Sequence, residues 1–522
     1  MKIIKLNGDL MRDRTSAHRE IASALSFPEW YGANLDALAD CLSEMPRDIS
    51  IALYNKEQMI EALGDYGDKI IRIFKEAAES VGFEFFATGR FNHTIEYTRT
   101  VPLTDSADVV VCGAGPAGWI AAVTAARSGR WVTLIDRLGF VGGTATSGYV
   151  LPISGFYFNG KRIASDIPFE FAKRMETEGG AIFEMPKGNI SYDPEYYKLI
   201  ASEMLDEAGV YLISNAEICD CVVDEKDGSI ESVIIHTKNG FEAISGRVFI
   251  DATGDADLCA FAGLPMQPKN PDLQPLSTCF LLAGVDTTTP LLSRSIHHDS
   301  GSSLNTEIRD FLLKQKDLEE FCGPWFNTTV NGGLVAVNVT RAGCNALCNR
   351  DYGEAEKRLR RDMFKIVSLL REEYPEFKDC VIVSSAHSAG VRETRRILGR
   401  YTFTKDDLLT ARKLPCPVAV CAHPIDIHKA GGPDQTLIRL EAPAAVPYDS
   451  MVFDDCPNLI VAGRCVSADP AAFASLRVQG TCMTMGEAAG AAAVYSLATG
   501  VPANELSDNG FYLDPYEHYN ES

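Results

Sequence analysis

The segment from Gly113 to Gly118 reads Gly-Ala-Gly-Pro-Ala-Gly, which is the glycine spacing of a phosphate-binding loop. The first glycine permits a tight turn, Gly115 lets the backbone approach a pyrophosphate, and the third glycine lets a helix pack on a strand. That helix begins near Pro116 and Ala117, and its first N–H groups and positive dipole favour phosphate. Asp136 ends the next predicted strand and can accept hydrogen bonds from a ribose. These residues predict a dinucleotide-binding site.

A second group of polar side chains could bind a substrate and carry a proton. Arg392 can donate a two-pronged hydrogen bond to a carboxylate or a polyol, and His428 or His387 can move the proton. The alternative reading is structural, because Arg392 could belong to an ion-pair network that ties parts of the chain together. The other members of that network would be Glu393, Arg395 and Arg396.

These residues need strands and helices to position them. Buried runs predict strands, and small-residue or amphipathic runs predict helices. The predicted elements are the strand Asp108–Cys112, the helix Ala117–Ser128, the strand Trp131–Ile135, three strands within Ile218–Ile250, the strand Asn458–Val461 and the helix Cys482–Ala498. The turn dipeptides Asp227-Gly228 and Asn239-Gly240 join the three strands as hairpins.

Three further segments extend the similarity beyond one nucleotide-binding unit. A second glycine-rich turn, a strand that ends in Ala-Thr-Gly-Asp and a strand that runs into Gly-Arg resemble elements of the glutathione-reductase-like flavoproteins. The resemblance implies FAD as the cofactor. The additional residues that it places at FAD are Arg137, Gly142, Gly143, Thr144, Ala252, Thr253, Gly254, Asp255, Gly463, Arg464, Gly480 and Thr481.

The segment Gly390–Arg396, Gly-Val-Arg-Glu-Thr-Arg-Arg, resembles the marker of a broad group of FAD-dependent oxidoreductases. This resemblance covers Asp108 to about Gly500. It implies an enzyme in which a hydride passes to or from flavin N5 and a small polar metabolite is the substrate. It leaves the identity of that substrate and the electron partner open.

The first 90 residues form a separate α/β pattern. The run Phe27–Leu42, Phe-Pro-Glu-Trp-Tyr-Gly-Ala-Asn-Leu-Asp-Ala-Leu-Ala-Asp-Cys-Leu, closely resembles the barstar family of intracellular ribonuclease inhibitors. Asp36 and Asp40 are one helical turn apart and share a face. The resemblance implies that these two carboxylates, with Trp30 and Glu76, bind a basic ribonuclease. The chain departs from the family at Ala39, where an aromatic residue is common.

Composition limits the other possible functions. The 522 residues carry a net charge of −22, which argues against nucleic-acid binding and against anionic membranes. No secretory signal or membrane-spanning run is visible, and the 15 cysteines include no CxxC pair, so we expect a cytoplasmic protein with reduced thiols and no metal site.

The predicted fold class is α/β. A small barstar-like domain (1–90) and a linker (91–107) precede a glutathione-reductase-like, FAD-binding Rossmann domain (108–522) with an inserted α+β substrate domain. We assign FAD binding to about 108–150, 196–264 and 449–500, and the substrate domain to about 151–195 and 265–448. Two function classes compete: a flavoenzyme that carries a barstar-like module, and a flavin-bearing interaction or ribonuclease-inhibitor protein.

Overall fold

The computed structural model describes residues 2–28, 30–87, 97–184, 188–270, 272–292, 305–318, 320–331 and 333–521. The chain divides into two compact units, Met1–Arg99 and Thr100–Ser522. Each unit has its own hydrophobic core. Residues 91–96 of the predicted linker lie outside the described residues.

The first unit is built on a three-stranded parallel sheet in the order β1-β2-β3. Its strands are β1 (Lys2–Asn7), β2 (Ile49–Tyr54) and β3 (Glu84–Ala87), and its described helices are α1 (Arg14–Leu25), α2 (Leu35–Ser43), α3 (Lys56–Leu63) and α4 (Asp65–Val81). Helix α3 was not predicted from the sequence. It buries only Met59, so its apolar periodicity is too weak to detect.

The second unit contains the remaining strands and helices. Its strands are β4 (Leu103–Cys112), β5 (Val132–Ile135), β6 (Tyr157–Phe158), β7 (Lys161–Arg162), β8 (Ala181–Glu184), β9 (Asn189–Tyr192), β10 (Tyr211–Ile213), β11 (Glu217–Val223), β12 (Ile230–Thr237), β13 (Gly240–Asp251), β14 (Phe280–Ala283), β15 (Phe321–Thr328), β16 (Leu334–Thr340), β17 (Val381–Ser385), β18 (Pro417–Cys421), β19 (Ile425–His428), β20 (Gln435–Ile438), β21 (Ala444–Pro447) and β22 (Leu459–Val461). Its described helices are α5 (Pro116–Arg127), α6 (Asp166–Thr177), α7 (Pro194–Ala208), α8 (Asp257–Phe261), α9 (Thr306–Leu312), α10 (Asn349–Glu373), α11 (Lys405–Thr410), α12 (Pro470–Leu476), α13 (Gln479–Thr499) and α14 (Glu517–Glu521).

The central sheet of the second unit has seven strands. Its order is β10-β5-β4-β13-β12-β11, and β22 pairs with the second half of β13. The strands β10, β5, β4, β13 and β22 run parallel, whereas β11, β12 and the first half of β13 form an antiparallel meander. This meander confirms the two hairpins that were predicted from the turns Asp227-Gly228 and Asn239-Gly240. Strand β4 begins at Leu103, earlier than predicted, because Leu103 pairs with Ala243.

Helix α13 packs against α5 on the central sheet. Both helices are rich in alanine and glycine, and most of their residues are buried. A β-carbon on Gly486 would lie 2.1 Å from the carbonyl oxygen of Ala117, so glycine is required for this close approach. The sequence prediction of a buried helix near the C-terminus is confirmed, although the helix begins three residues before the predicted Cys482.

A second core lies between a four-stranded antiparallel sheet and a long helix. The sheet order is β15-β16-β14-β17, and the pairs are antiparallel. Helix α10 covers this sheet with Met363, Ile366 and Leu370, which pack against Phe280 and Val337. This part of the chain has the α+β composition that the sequence indicated for the insertion.

All 15 cysteines are free thiols, and ten of them are buried. Within the described residues, no group of His, Cys, Asp and Glu is arranged to hold a metal ion. None of the helices in the described ranges is both long enough and apolar enough to cross a membrane.

Candidate functional site

The carboxyl ends of four parallel strands surround one cavity. Strands β4, β5, β13 and β22 all end at this edge of the sheet, and the residues that follow each of them line the cavity. The lining atoms enclose about 930 Å³, including open solvent at the mouth. Open α/β sheets bind nucleotides in such a crevice, beyond the carboxyl ends of their strands. We call it the first cavity.

The loop after β4 leaves space for a phosphate-sized group. A β-carbon on Gly118 would lie 1.7 Å from the carbonyl oxygen of Gly113, so α5 can approach the strand only with glycine at this position. A β-carbon on Gly115 would meet no atom within 4 Å, so the backbone there faces open space. Helix α5 begins at Pro116 without a side-chain cap. Its first N–H groups therefore remain available to a bound anion.

Asp136 follows β5 and orders the loops beside the first cavity. Its Oδ2 accepts a hydrogen bond from the Ala114 N–H at 2.5 Å, and its Oδ1 accepts one from the Leu138 N–H at 2.7 Å. Burial raises the pKa of this carboxyl above its usual value, although the two backbone hydrogen bonds act in the opposite direction. Each carboxylate oxygen has a further lone pair. Asp136 can therefore hold the loops and still accept a ribose hydroxyl.

Most of the residues predicted to bind the cofactor line the first cavity. They are Gly113, Gly115, Pro116, Ala117, Asp136, Arg137, Gly143, Thr144, Ala252, Thr253, Gly254, Asp255, Gly463 and Arg464. Gly118, Gly142, Gly480 and Thr481 do not line it. Arg477 and Gln479 do, and the sequence analysis did not single them out. The available signal was two polar side chains where a buried helix begins: Arg477 lies two residues before α13, and Gln479 is the first residue of that helix.

Arg464 joins three separate segments at the floor of the site. Its Nε donates to the Gly254 carbonyl at 2.6 Å, and its Nη2 donates to Asp255 Oδ1 at 2.6 Å. Its Nη1 donates to the carbonyl of Val391. Burial acts to raise the pKa of Asp255, but the charge of Arg464 and the hydrogen bonds to the carboxylate outweigh it and lower the pKa. Asp255 is therefore ionised, and its charge balances that of Arg464.

A second cavity shares part of its wall with the first. The shared residues are Thr144, Gly390, Val391, Arg464, Arg477 and Gln479. The second cavity encloses about 1020 Å³, including open solvent, and its other polar wall residues are Ser277, Asn338, Arg392, His423, Asp426 and His428. The two predicted substrate residues Arg392 and His428 are therefore brought together beside the predicted FAD site.

The arginines of the segment Gly390–Arg396 have two different roles: some form ion pairs, and one lines a cavity. Arg396 and Glu393 form a buried ion pair, and Arg395 pairs with Asp257 at 2.5 Å. Arg392 differs, because its Nη1 donates to the Pro275 carbonyl at 2.6 Å and to Ser277 Oγ at 2.8 Å, and no carboxylate of the described residues pairs with it. The ion-pair alternative thus describes Arg395 and Arg396, but not Arg392.

His428 lines the second cavity, but both of its ring nitrogens are already used. Nδ1 accepts from Arg341 Nη2 at 3.0 Å, because a guanidinium can only donate, and Nε2–H faces Asp426 Oδ2 at 3.1 Å. Burial, and then the charge of Arg392, lowers the pKa of His428 to about 4. His428 is therefore neutral near pH 7, and its hydrogen bonds suit a positioning role better than proton transfer.

Two other histidines, His423 and His387, differ in whether they line the second cavity. His423 lines the second cavity, its Nδ1–H donates to the Pro424 carbonyl at 2.8 Å, and its Nε2 makes no hydrogen bond with a described residue. Burial lowers the pKa of His423, so the neutral ring offers Nε2 as a proton acceptor. His387 is exposed and lines neither cavity, so it is not part of this group of side chains.

The barstar-like surface lies on the first unit. The Asn34 side chain caps α2 by accepting a hydrogen bond from the Ala37 N–H at 2.9 Å. The inner side of α2 is buried, which leaves Asp36 and Asp40 exposed on the outer side. Trp30, in the preceding loop, is 66% exposed, and Glu76 on α4 is also exposed. An exposed tryptophan on a small domain is typical of a protein-binding surface.

The first cavity fits a dinucleotide. It has an uncapped helix terminus, an open position at Gly115 and a carboxylate at the end of β5, as such a ligand requires. One buried acceptor atom on its wall, Gln479 Oε1, has no hydrogen-bond partner among the described residues. The fold and the site define a dinucleotide-binding α/β protein of the oxidoreductase type.

Comparison with family models makes the assignment specific. The model for FAD-dependent oxidoreductases matches residues 108–513, and the model for barstar, the barnase inhibitor, matches residues 1–90. The chain therefore belongs to the FAD-dependent oxidoreductase family and carries an N-terminal barstar domain. Its cofactor is FAD, and the residues that would hold it are those that line the first cavity.

Individual relatives match parts of the chain. The candidate ribonuclease inhibitor YrdF of Bacillus subtilis (strain 168) is 34% identical over 88 residues, which is 16% of this chain and 94% of YrdF. A urocanate reductase of Eggerthella lenta is 36% identical over 95 residues, which is 18% of this chain and only 16% of the length of that enzyme. Among solved structures, an L-proline dehydrogenase from P. horikoshii is 12% identical, with 81% of this chain and 100% of that chain covered, at a TM-score of 0.38. The more specific, glutathione-reductase-like arrangement stays a prediction.

Substitution of Gly115 by aspartate should prevent FAD binding. The new carboxylate would fill the open space at the start of α5 and repel the pyrophosphate, so we expect affinity to fall by about 100-fold or more, or ~3 kcal/mol. The measurement is the flavin absorbance of the purified protein and a titration with FAD. Gly353→Asp, at an equally open position on α10, is the control and should stay fully loaded. Normal FAD content in Gly115→Asp would place the phosphates elsewhere.

The low pKa of His428 should make folding stability depend on pH. The unfolded histidine binds its proton near pH 6.5 and the folded one only near pH 4, so stability should fall as the pH is lowered through this range, by roughly 3 kcal/mol at its lower end. His428→Asn removes this titration, so the difference between the melting temperatures at pH 7 and pH 4.5 should shrink. The exposed His387→Asn should leave that difference unchanged. An unaltered pH slope in His428→Asn would contradict the assigned protonation state.

Proposed function

We propose that the second cavity binds a small polar metabolite that is oxidised or reduced against FAD in the first cavity. The observation that carries this proposal is the wall that the two cavities share, which includes Arg477 and Gln479. FAD, when bound, takes up or gives a hydride at N5. The chain itself must bind and orient the substrate and transfer one proton.

His423 is the residue best suited to move the proton. Its Nδ1–H is committed to the Pro424 carbonyl, so the tautomer is fixed with the lone pair on Nε2. In the oxidative direction a hydride leaves a substrate carbon and a proton leaves the attached oxygen or nitrogen, and Nε2 accepts that proton. In the reductive direction the same nitrogen returns it. The two electrons that leave or enter the substrate are carried by the hydride, and FAD is the partner that takes or gives them in this half-reaction.

His428 and Asp426 would support this chemistry from the β19–β20 hairpin. The fully buried Arg341 donates to His428 Nδ1 at 3.0 Å and to the carbonyls of Gly432 at 2.5 Å and Asp434 at 3.0 Å in the turn of the hairpin. These bonds fix the turn. The ring of His428 is thereby held against Asp426, on the wall of the second cavity.

The barstar domain supports a second proposed role, in addition to the flavoenzyme activity. The exposed carboxylates Asp36 and Asp40 lie on α2, the exposed Trp30 lies in the loop before this helix, and none of the three pairs with a basic group among the described residues. An acidic patch with an aromatic anchor would bind the basic cleft of a ribonuclease. The alternative class, in which this domain carries the main function, is not favoured because the flavoenzyme family covers most of the chain.

An anaerobic metabolite screen tests the main proposal. The FAD-loaded protein is mixed with small polar metabolites, and loss of flavin absorbance identifies a reductant. With the compound found, His423→Asn should slow flavin reduction by about 10²- to 10⁴-fold, because asparagine can replace Nδ1 but has no atom at Nε2. His387→Asn is the control and should react normally. Equal rates in His423→Asn and the unmodified protein would remove His423 from the reaction.

Titration with a barnase-type ribonuclease tests the second role. We expect binding at low salt that weakens as salt increases, since the screening length is only about 10 Å at 0.1 M ionic strength. Asp40→Ala should weaken binding by about ten-fold or more, whereas Asp48→Ala, an exposed carboxylate outside α2, should not. Absence of binding at low salt, or equal binding by Asp40→Ala, would leave this domain without a ribonuclease partner of that type.

A further inference from the structure

The charged groups of the second cavity do not balance. Its guanidinium groups belong to Arg392, Arg464 and Arg477, and its carboxylate belongs to Asp426. Arg464 is neutralised by Asp255. Asp426 accepts hydrogen bonds from His428 at 3.1 Å and from Gln435 at 2.5 Å. Both donors are neutral, so within the described wall Asp426 is the one carboxylate available to balance the charges of Arg392 and Arg477. The residues that line the cavity therefore carry an excess of positive charge, and the buried Arg341 behind His428 adds a guanidinium that pairs with no carboxylate of the described residues.

Arg392 presents one free edge of its guanidinium. The Nη1 atom is held by the Pro275 carbonyl and by Ser277 Oγ, and these two contacts fix the plane of the group. Neither Nε nor Nη2 makes a hydrogen bond with a described residue. The Nε and Nη2 hydrogens of arginine point in parallel and match the two oxygens of a carboxylate.

Arg477 is a second donor with unused capacity. Its Nη2 donates to Gln274 Oε1 and to the Asp426 carbonyl, both at 3.2 Å. Its Nε is buried without a hydrogen-bond partner in the described part of the chain, and burial lowers the pKa of this arginine to about 10. A buried donor without an acceptor is costly, and a bound anion would relieve that cost.

We propose that the substrate carries a carboxylate, which binds to Arg392 and Arg477 in the second cavity. This inference rests on the proposed function, because it names the chemical class of the molecule that occupies the same cavity. A carboxylate would offset this excess positive charge, so an anion fits the cavity better than a neutral molecule. Arg477 also lines the first cavity, so the carboxylate would be held at the end of the second cavity that adjoins FAD.

Equilibrium binding of a simple anion tests the site without turnover. The FAD-loaded protein is titrated with propionate and with propionamide, which has the same shape but no charge. Calorimetry and the visible spectrum of the flavin report binding. We expect propionate to bind about ten-fold or more tightly than propionamide. Equal affinities would overturn the proposal, whatever the behaviour of any variant.

Variants of Arg392 locate the anion. In Arg392→Gln the affinity for propionate should fall by about 10- to 100-fold, while the affinity for propionamide should hardly change. Arg392→Lys keeps the charge and loses the paired donors, so we expect an intermediate affinity. Arg412→Gln, at a side chain 66% exposed that lines neither cavity, is the control and should bind normally. Unchanged discrimination in both Arg392 variants would place the anion elsewhere.

The results separate this inference from the proposed function. If propionate binds through Arg392 but no metabolite bleaches the flavin, the carboxylate site stands and the oxidoreductase role of the cavity fails. If an uncharged metabolite bleaches the flavin at the same rate in Arg392→Gln, the oxidoreductase role stands and the carboxylate site fails. FAD content and melting temperature of each variant identify any loss of folding before affinities are compared.

Discussion

The guanidinium of Arg464 is the contact on which the geometry of the site depends. One side chain binds the loop after β13, at Gly254 and Asp255, and the segment at Val391 that begins the substrate side. It does so from the loop after β22, at the opposite end of the sequence. Because each of its three nitrogens donates a hydrogen bond and its charge is paired, the three segments are fixed relative to one another before any ligand binds. The first cavity and the second cavity therefore have a common frame.

The cofactor side of the site could be predicted because its requirements are local. A backbone that must approach phosphate requires glycine at fixed spacing, and a strand that must end beside a ribose ends in an acid, as Gly115 and Asp136 show. The hairpins of the meander were predictable for the same reason, since their turn residues stand between alternating strands. In each case, one short stretch of sequence contains the whole signal.

The substrate side could not be predicted to the same degree, because its roles are assigned by contacts between distant segments. The sequence indicated His428, but it could not show that Arg341 occupies one nitrogen of this side chain. Nor could it show that His423 has a free nitrogen on the cavity wall, or that Arg395 and Arg396 are paired while Arg392 is not. The net charge of −22 does not describe the second cavity either, because that cavity is lined by three arginines and one carboxylate.

The shared wall divides the residues of the site by how freely they can change during evolution. Ser277, Asn338 and Arg392 line the second cavity and not the first, so under the proposed function a change at any of them would alter the choice of substrate without touching the first cavity. Arg477 and Gln479 line both cavities, so a change at either is pleiotropic. A redesign of substrate choice would therefore begin at Ser277, Asn338 and Arg392 and keep the two residues at the start of α13 unchanged.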